Sequence, residues 1–114
     1  MQTSRTNLPA ALLWLDRSHA IVARATDRGT SVTEIDRELE LEPAFLLRVA
    51  REAAGCDRVV VMGPDASRIA FEREYVALYR RPDCLVDAGS EIEPRPQELA
   101  DQLRLLTSPA PGWG

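Results

Sequence analysis

Four acidic residues stand where a nuclease would want them. Asp16 closes a first apolar run, Glu52 lies in a later helical segment, Asp65 opens another, and Asp87 ends a short apolar run. Carboxylates from such places can hold two divalent metals for in-line displacement at a phosphodiester. Against that chemistry, Asp16 starts a turn, Glu52 sits near a helix end where solvated acids are common, and Asp87 precedes a loop. The second constellation is Gly63-Pro64-Asp65-Ala66-Ser67-Arg68. Unpaired N–H groups at a helix start can hold a phosphate oxygen, and Arg68 would add a charge-assisted contact. The plainer account is that Gly63 lets a strand turn closely, Pro64 occupies a first helical position, and Asp65 complements the macrodipole.

His19 is the only histidine. A Ser-His-Asp set with Ser18 or Ser67 and Asp16 can be drawn around it, but one histidine beside a turn is more often bonded to backbone or water. Arg17 and His19 flank the same turn and complete an anion-facing set with Gly63, Pro64, Ser67 and Arg68. Cys56 and Cys84 lack C-x-x-C spacing, and with a single histidine no zinc site can be assembled. They read as two small buried or half-buried thiols. No metal and no cofactor is implied. Arg73, Arg80 and Arg81 interleave with Glu72 and Glu74, the pattern of a mixed solvated face.

These residues need a scaffold, and the apolar runs outline it. Arg58–Met62 reads as a strand buried on both faces, of the kind found inside a helix-covered parallel or mixed sheet. Ala10–Leu15 reads as a first central strand and His19–Thr26 as its hairpin partner. Asp27-Arg28-Gly29 is a turn, and Thr30–Asp36 has the composition of an edge strand. Pro43 opens a helix with a stripe of Phe45, Leu46, Val49, Ala50 and Ala53, stopped by Gly55. A second helix runs from Pro64 to about Tyr79, its apolar face drawn through Ala66, Ile69, Ala70, Val76 and Tyr79, with Phe71, Tyr75 and Leu78 alongside. Cys84–Asp87 is a short strand, and Pro96–Leu106 a last helix with Leu99, Leu103 and Leu106 on one side.

The expected architecture is α/β: a three-strand antiparallel meander, then helix-strand-helix-strand-helix. Right-handed crossovers turn this into a mixed five-stranded sheet with helices on both faces, the ribonuclease H-like order. The first, fourth and fifth strands then run parallel, so Asp16, the Gly63–Arg68 corner and Asp87 share one rim. Residues 1–9 and 107–114 are expected to be flexible ends around a single domain at 10–106.

Composition narrows the function classes. The chain has 114 residues, 45% of them apolar, with a net charge of −4; all fourteen basic residues are arginine. That balance is not that of a general nucleic-acid binder, although a local arginine patch remains compatible with it. No run of about eighteen apolar residues exists to span a membrane. The first apolar stretch, Leu8–Leu15, lacks the flanks of a secretory signal. A cytoplasmic location without membrane attachment is the expectation, and a homodimer is left open.

The ordered motifs resemble those of the middle domain of archaeal and eukaryotic class-1 release factors and Pelota-type ribosome rescue proteins. They are closer to small bacterial relatives described as host-attachment or translational-machinery-like proteins. The matching pieces are Leu12-Leu-Trp-Leu-Asp16 with His19-Ala-Ile-Val22, Phe45-Leu-Leu-Arg-Val-Ala50, Arg58–Arg68, Leu85-Val-Asp87 and the Leu99–Leu106 helix. In that family the corner reads roughly Gly-Pro-Gly-x-x-Lys; here Asp65 and Arg68 replace the second glycine and the lysine. The short Arg37–Glu42 connection contains no Gly-Gly-Gln, the tripeptide with which release factors enter the peptidyl-transferase centre. The resemblance therefore implies a non-enzymatic, translation-associated module that binds the ribosome or structured RNA. The alternative is a metal-dependent nuclease using Asp16, Asp65, Asp87 and Glu52.

Overall fold

The computed structural model describes residues 9–107. The ends expected to be loose lie, but for Pro9 and Thr107, outside the described residues. The elements are β1 (Ala10–Leu15), β2 (His19–Thr26), β3 (Gly29–Asp36), α1 (Glu42–Glu52), β4 (Arg58–Met62), α2 (Asp65–Tyr79), a 3-10 turn at Pro82–Cys84, β5 (Leu85–Asp87) and α3 (Pro96–Thr107). They form one five-stranded sheet in the order β3-β2-β1-β4-β5. β1 and β2, and β2 and β3, pair antiparallel, while β1, β4 and β5 run parallel. The expected mixed sheet and shared rim are therefore present.

Strand periodicity divides the core between two faces. From β1, Ala11, Leu13 and Leu15 join Val59, Val61, Phe45, Val49 and Phe71 beneath α1 and α2. Ala10, Leu12 and Trp14 join Ile21, Ala23 and Met62 beneath Leu99 and Leu103 of α3. All six residues of β1 are buried, as a strand with helices on both sides requires.

Four details differ from the sequence reading. Gly29 belongs to β3, paired with Thr26, so the turn is Asp27-Arg28 alone. Pro64 is the N-cap of α2 with ψ of 148°, and α2 begins at Asp65. Cys84 closes the 3-10 turn, so β5 is three residues long.

The fourth difference concerns packing. Ala66, Ile69 and Leu78 are exposed, and the buried stripe of α2 is Ser67, Arg68, Phe71 and Tyr75. Two aromatic rings four residues apart outweigh the smaller aliphatics, and Arg68 is buried because its charge is matched, as described below. Val60 is only half buried as well. α3 packs on β1, β2 and β3, leaving the β4–β5 side of that face thinly covered, with Val86 44% exposed. No described helix is long and apolar enough to cross a membrane.

Candidate functional site

The corner after β4 is made by Gly63. Its φ of +127° is open only to glycine at low cost, and a Cβ there would run into the Leu15 carbonyl of β1. The Gly63 N–H donates to the Ser90 carbonyl at 2.7 Å, and Ala88 N–H to Val61 O at 2.9 Å, which ties the loop after β5 to the corner. The Pro64 carbonyl accepts the Arg68 N–H at 3.0 Å, the first bond of α2. Arg68 then folds its side chain back under the rim. Its Nε donates to the Gly63 carbonyl at 2.8 Å, Nη1 to Asp87 and Nη2 to Asp65. The hydrogen bond and charge of Asp87, then the charge of Asp65, hold the guanidinium firmly in its charged form.

Glu72, one helical turn beyond Arg68, completes this cluster. Burial, then a hydrogen bond to Asp87 and that carboxylate's charge, push the Glu72 carboxyl up to about 7, against the opposing pull of Arg68. Glu72 Oε2 is buried without a hydrogen-bond partner. An ionised Glu72 would thus bury an unanswered acceptor beside a second carboxylate. The protonated form instead donates to Asp87, and that bond, with Arg68, brings Asp87 below its ordinary range against the effect of burial. The raised Glu72 carboxyl and the lowered Asp87 carboxyl are a property of the pair rather than of either residue.

A second group is centred on the β1–β2 turn. Asp16 Oδ1 accepts from Ser18 N–H at 2.8 Å, Ser18 Oγ at 3.0 Å and His19 N–H at 3.0 Å. Burial works to raise the Asp16 carboxyl, but these donors and the nearby His19 bring it below its usual range. His19 Nε2 meets Glu93 Oε2 at 2.7 Å, Nδ1 lies 3.3 Å from Ser18 Oγ, and the ring tilts against Trp14 at 5.5 Å. Burial alone would lower the imidazole; Glu93, helped by Asp16 and Asp36, raises it above its ordinary value. In a catalytic triad the nucleophile and the acid use opposite ring nitrogens. Here Ser18 and Asp16 share Nδ1, and Nε2, the nitrogen that faces the nucleophile in a triad, is held by Glu93, an arrangement that fixes a turn and the neighbouring loop.

The structure brings Gly63, Pro64, Asp65, Ser67, Arg68 and Asp87 into one corner, with Ser67 and Arg68 buried. Asp16 and His19 occupy the adjoining strand end. Arg17 is exposed on the turn, its carbonyl accepting from Arg37 Nη1 at 3.2 Å. Glu52 does not join them. It lies at the far end of α1, where its carbonyl accepts from Arg24 and its Oε1 from Thr33. Among the described residues no group of three His, Cys, Asp or Glu side chains is placed to hold a metal ion. Cys56 and Cys84 are free, buried thiols, and burial raises the Cys56 thiol.

The sequence reading puts Glu72 on a mixed solvated face, whereas the structure half-buries it with Oε2 fully covered, and Glu93 is not singled out by the sequence at all. Glu72 stands four residues after Arg68, a spacing that puts both on one helix face and was readable. Glu93 reaches His19 from a loop 74 residues away, which no local pattern encodes. That loop also walls an open groove of about 430 Å³ against α3, lined by Met62, Ser90, Ile92, Glu93, Glu98 and Asp101.

No family model matches the sequence, and no curated protein matches it either. Solved structures do match in fold. Pelota from Archaeoglobus fulgidus superposes with a TM-score of 0.65 and 11% identity, over 89% of this chain and 32% of that one. The archaeal translation termination factor aRF1 gives 0.54 and 18%, over 90% of this chain and 35% of that one. Dom34 of S. cerevisiae, described as a translation termination-like factor involved in RNA quality control, gives 0.52 and 11%, over 85% and 37%. The chain thus spans about a third of the length of the proteins it matches, and its mixed five-stranded fold is the one they contain.

Proposed function

We propose that this chain is a non-enzymatic, cytoplasmic, translation-associated module whose partner is the ribosome or a structured RNA. The observation that carries the reading is the fold match to Pelota, aRF1 and Dom34 over most of the chain. Two features of the site agree with a binding role. The Arg37–Glu42 connection has no Gly-Gly-Gln, and the rim carboxylates are taken up by Arg68, by backbone N–H groups and by one another. Of the anion-facing set Arg17 is exposed, Pro64 and His19 are half-buried, and Gly63, Ser67 and Arg68 are buried. A phosphate reaching Arg68 would have to displace Asp65, the more exposed of its two partners.

Sedimentation of host extracts through sucrose gradients tests the reading. The protein is expected in ribosomal or subunit fractions, and confinement to the soluble top fractions in growth and starvation alike overturns it. Asp65→Gly refines the site. It frees one edge of the Arg68 guanidinium and removes a like charge, so structured RNA should bind several-fold more tightly at low salt. Unchanged affinity at low and physiological salt removes the corner from the binding surface.

A further inference from the structure

The two edges of the sheet differ. β5 is a three-residue edge, whereas β3 offers eight residues in unbroken register with β2 from Gly29 to Asp36, without proline, lysine or bulge. Such an edge is a template for another strand unless it is blunted.

The hydrogen-bond parity of β3 shows which groups are on offer. Asp16 N–H donates to the His19 carbonyl, so the odd-numbered residues of β2 bond to β1 and the even-numbered ones to β3. Through the register, Gly29, Ser31, Thr33 and Ile35 point their backbone groups inward. Thr30, Val32, Glu34 and Asp36 point theirs outward. The Asp36 carbonyl is taken by Arg48 Nη2 at 2.6 Å, and the Arg37 N–H turns back to Ser18. No described group bonds to the outward N–H or C=O of Thr30, Val32 or Glu34.

We propose that β3 is a homodimer interface, two copies pairing antiparallel about a two-fold axis at Val32 to make one continuous sheet. Opposed residues in an antiparallel pair must both point their backbone groups at each other, so outward residues face outward residues. Centring on Val32 does this for the whole free edge: Val32 faces the partner's Val32, and Thr30 faces the partner's Glu34, reciprocally. The intervening pair is Ser31 with the partner's Thr33, and the outermost is Arg28 with the partner's Asp36. No like charges meet, and the flanking pair is of opposite sign, the complementarity a self-pairing edge needs. Val32, 37% exposed, belongs to the sheet face that α3 packs on, and α3 carries the exposed Leu105 and Leu106. Two copies related by this axis place both sets of apolar side chains on one side of the joined sheet.

The assembly is independent of the ribosome reading, and its test does not depend on RNA. Sedimentation equilibrium on the full chain is expected to show a monomer–dimer equilibrium at concentrations up to about 500 μM, where a dissociation constant near 100 μM is still visible. Val32→Pro removes an outward N–H that makes no bond within the monomer, so circular dichroism should be unchanged while dimerisation weakens at least about tenfold. Val32→Lys places two ammonium groups across the axis and should do the same, which covers the case of a misfolded proline variant. Asp36→Arg should weaken the dimer and Arg28→Asp with Asp36→Arg restore it. A chain that is monomeric throughout, or a dimer indifferent to both Val32 variants, overturns the proposal.

Discussion

Gly29→Ala and Gly63→Ala separate backbone strain from steric contact, because the two glycines share nearly the same φ, +123° and +127°. At Gly29 an added Cβ meets nothing within 4 Å; at Gly63 it stands 3.1 Å from the Leu15 carbonyl carbon, 3.3 Å from its nitrogen and well inside contact with its oxygen. Forcing alanine into this φ region costs roughly 1–3 kcal/mol at either site. A part of that, about 0.4–1 kcal/mol, is offset because alanine also restricts the unfolded chain. Only Gly63→Ala must in addition move backbone. Leu15 is fully buried and belongs to a strand paired on both sides, so the shift resembles overpacking of a core, about 1–3 kcal/mol more. Gly63→Ala should thus remove about 2–5 kcal/mol from a domain whose whole stability is on the order of 5–15 kcal/mol.

Urea denaturation followed by tryptophan fluorescence reads the difference. With a slope near about 1.5 kcal/mol/M, the midpoint of Gly63→Ala should fall roughly 1–2 M below that of Gly29→Ala. Equal midpoints at unchanged slope would mean that the corner does not rest against β1. The account of how the rim is built would then fail with it.

Three further substitutions test the packing and the carboxyl pair. Val61→Asp puts a charge into a fully buried site and should abolish cooperative folding, whereas Val60→Asp, on the thinly covered face, should still give a soluble protein with a thermal transition. Equal damage from both would place a helix over β4 on each side. Glu72→Gln tests the coupling of Glu72 to Asp87. Because the Glu72 carboxyl is raised from 4.5 to about 7, the folded state holds a proton that the unfolded chain has released. Stability from this group is therefore full below about pH 4.5, declines as pH rises to about 7, and is level beyond. Discounted for solvent screening, the decline is about 1–2 kcal/mol, and Glu72→Gln should flatten it while leaving the slope due to His19 in place. Chemical denaturation at a series of pH values measures it; parallel curves for the two proteins would refute the pairing.

What the sequence conveyed about the fold was whatever local chemistry encodes. Arg58–Met62 is apolar without alternation, so it is recognisable as an inner strand, and Gly63-Pro64 marks its end whatever surrounds it. The placement of α3 is a different kind of fact. Leu99 and Leu103 announce one apolar face, but which strands that face covers depends on where the Ala88–Arg95 loop delivers the helix, and Val60 turned out half exposed as a result. The corner shows the same division most clearly. Asp65 in place of glycine and Arg68 in place of lysine read from the sequence as two separate departures. In the structure they are one unit: Arg68 bridges Asp65 and Asp87 while bonding the Gly63 carbonyl. A guanidinium has the several fixed donors this takes, and an ammonium does not reproduce their geometry. Arginine at 68 is thus the residue that lets a corner with an added carboxylate stay buried. That pairing also explains why the buried stripe of α2 is not legible in the sequence, since a charge whose partners lie on β5 and at its own helix start cannot be recognised as buried until the sheet has brought them together.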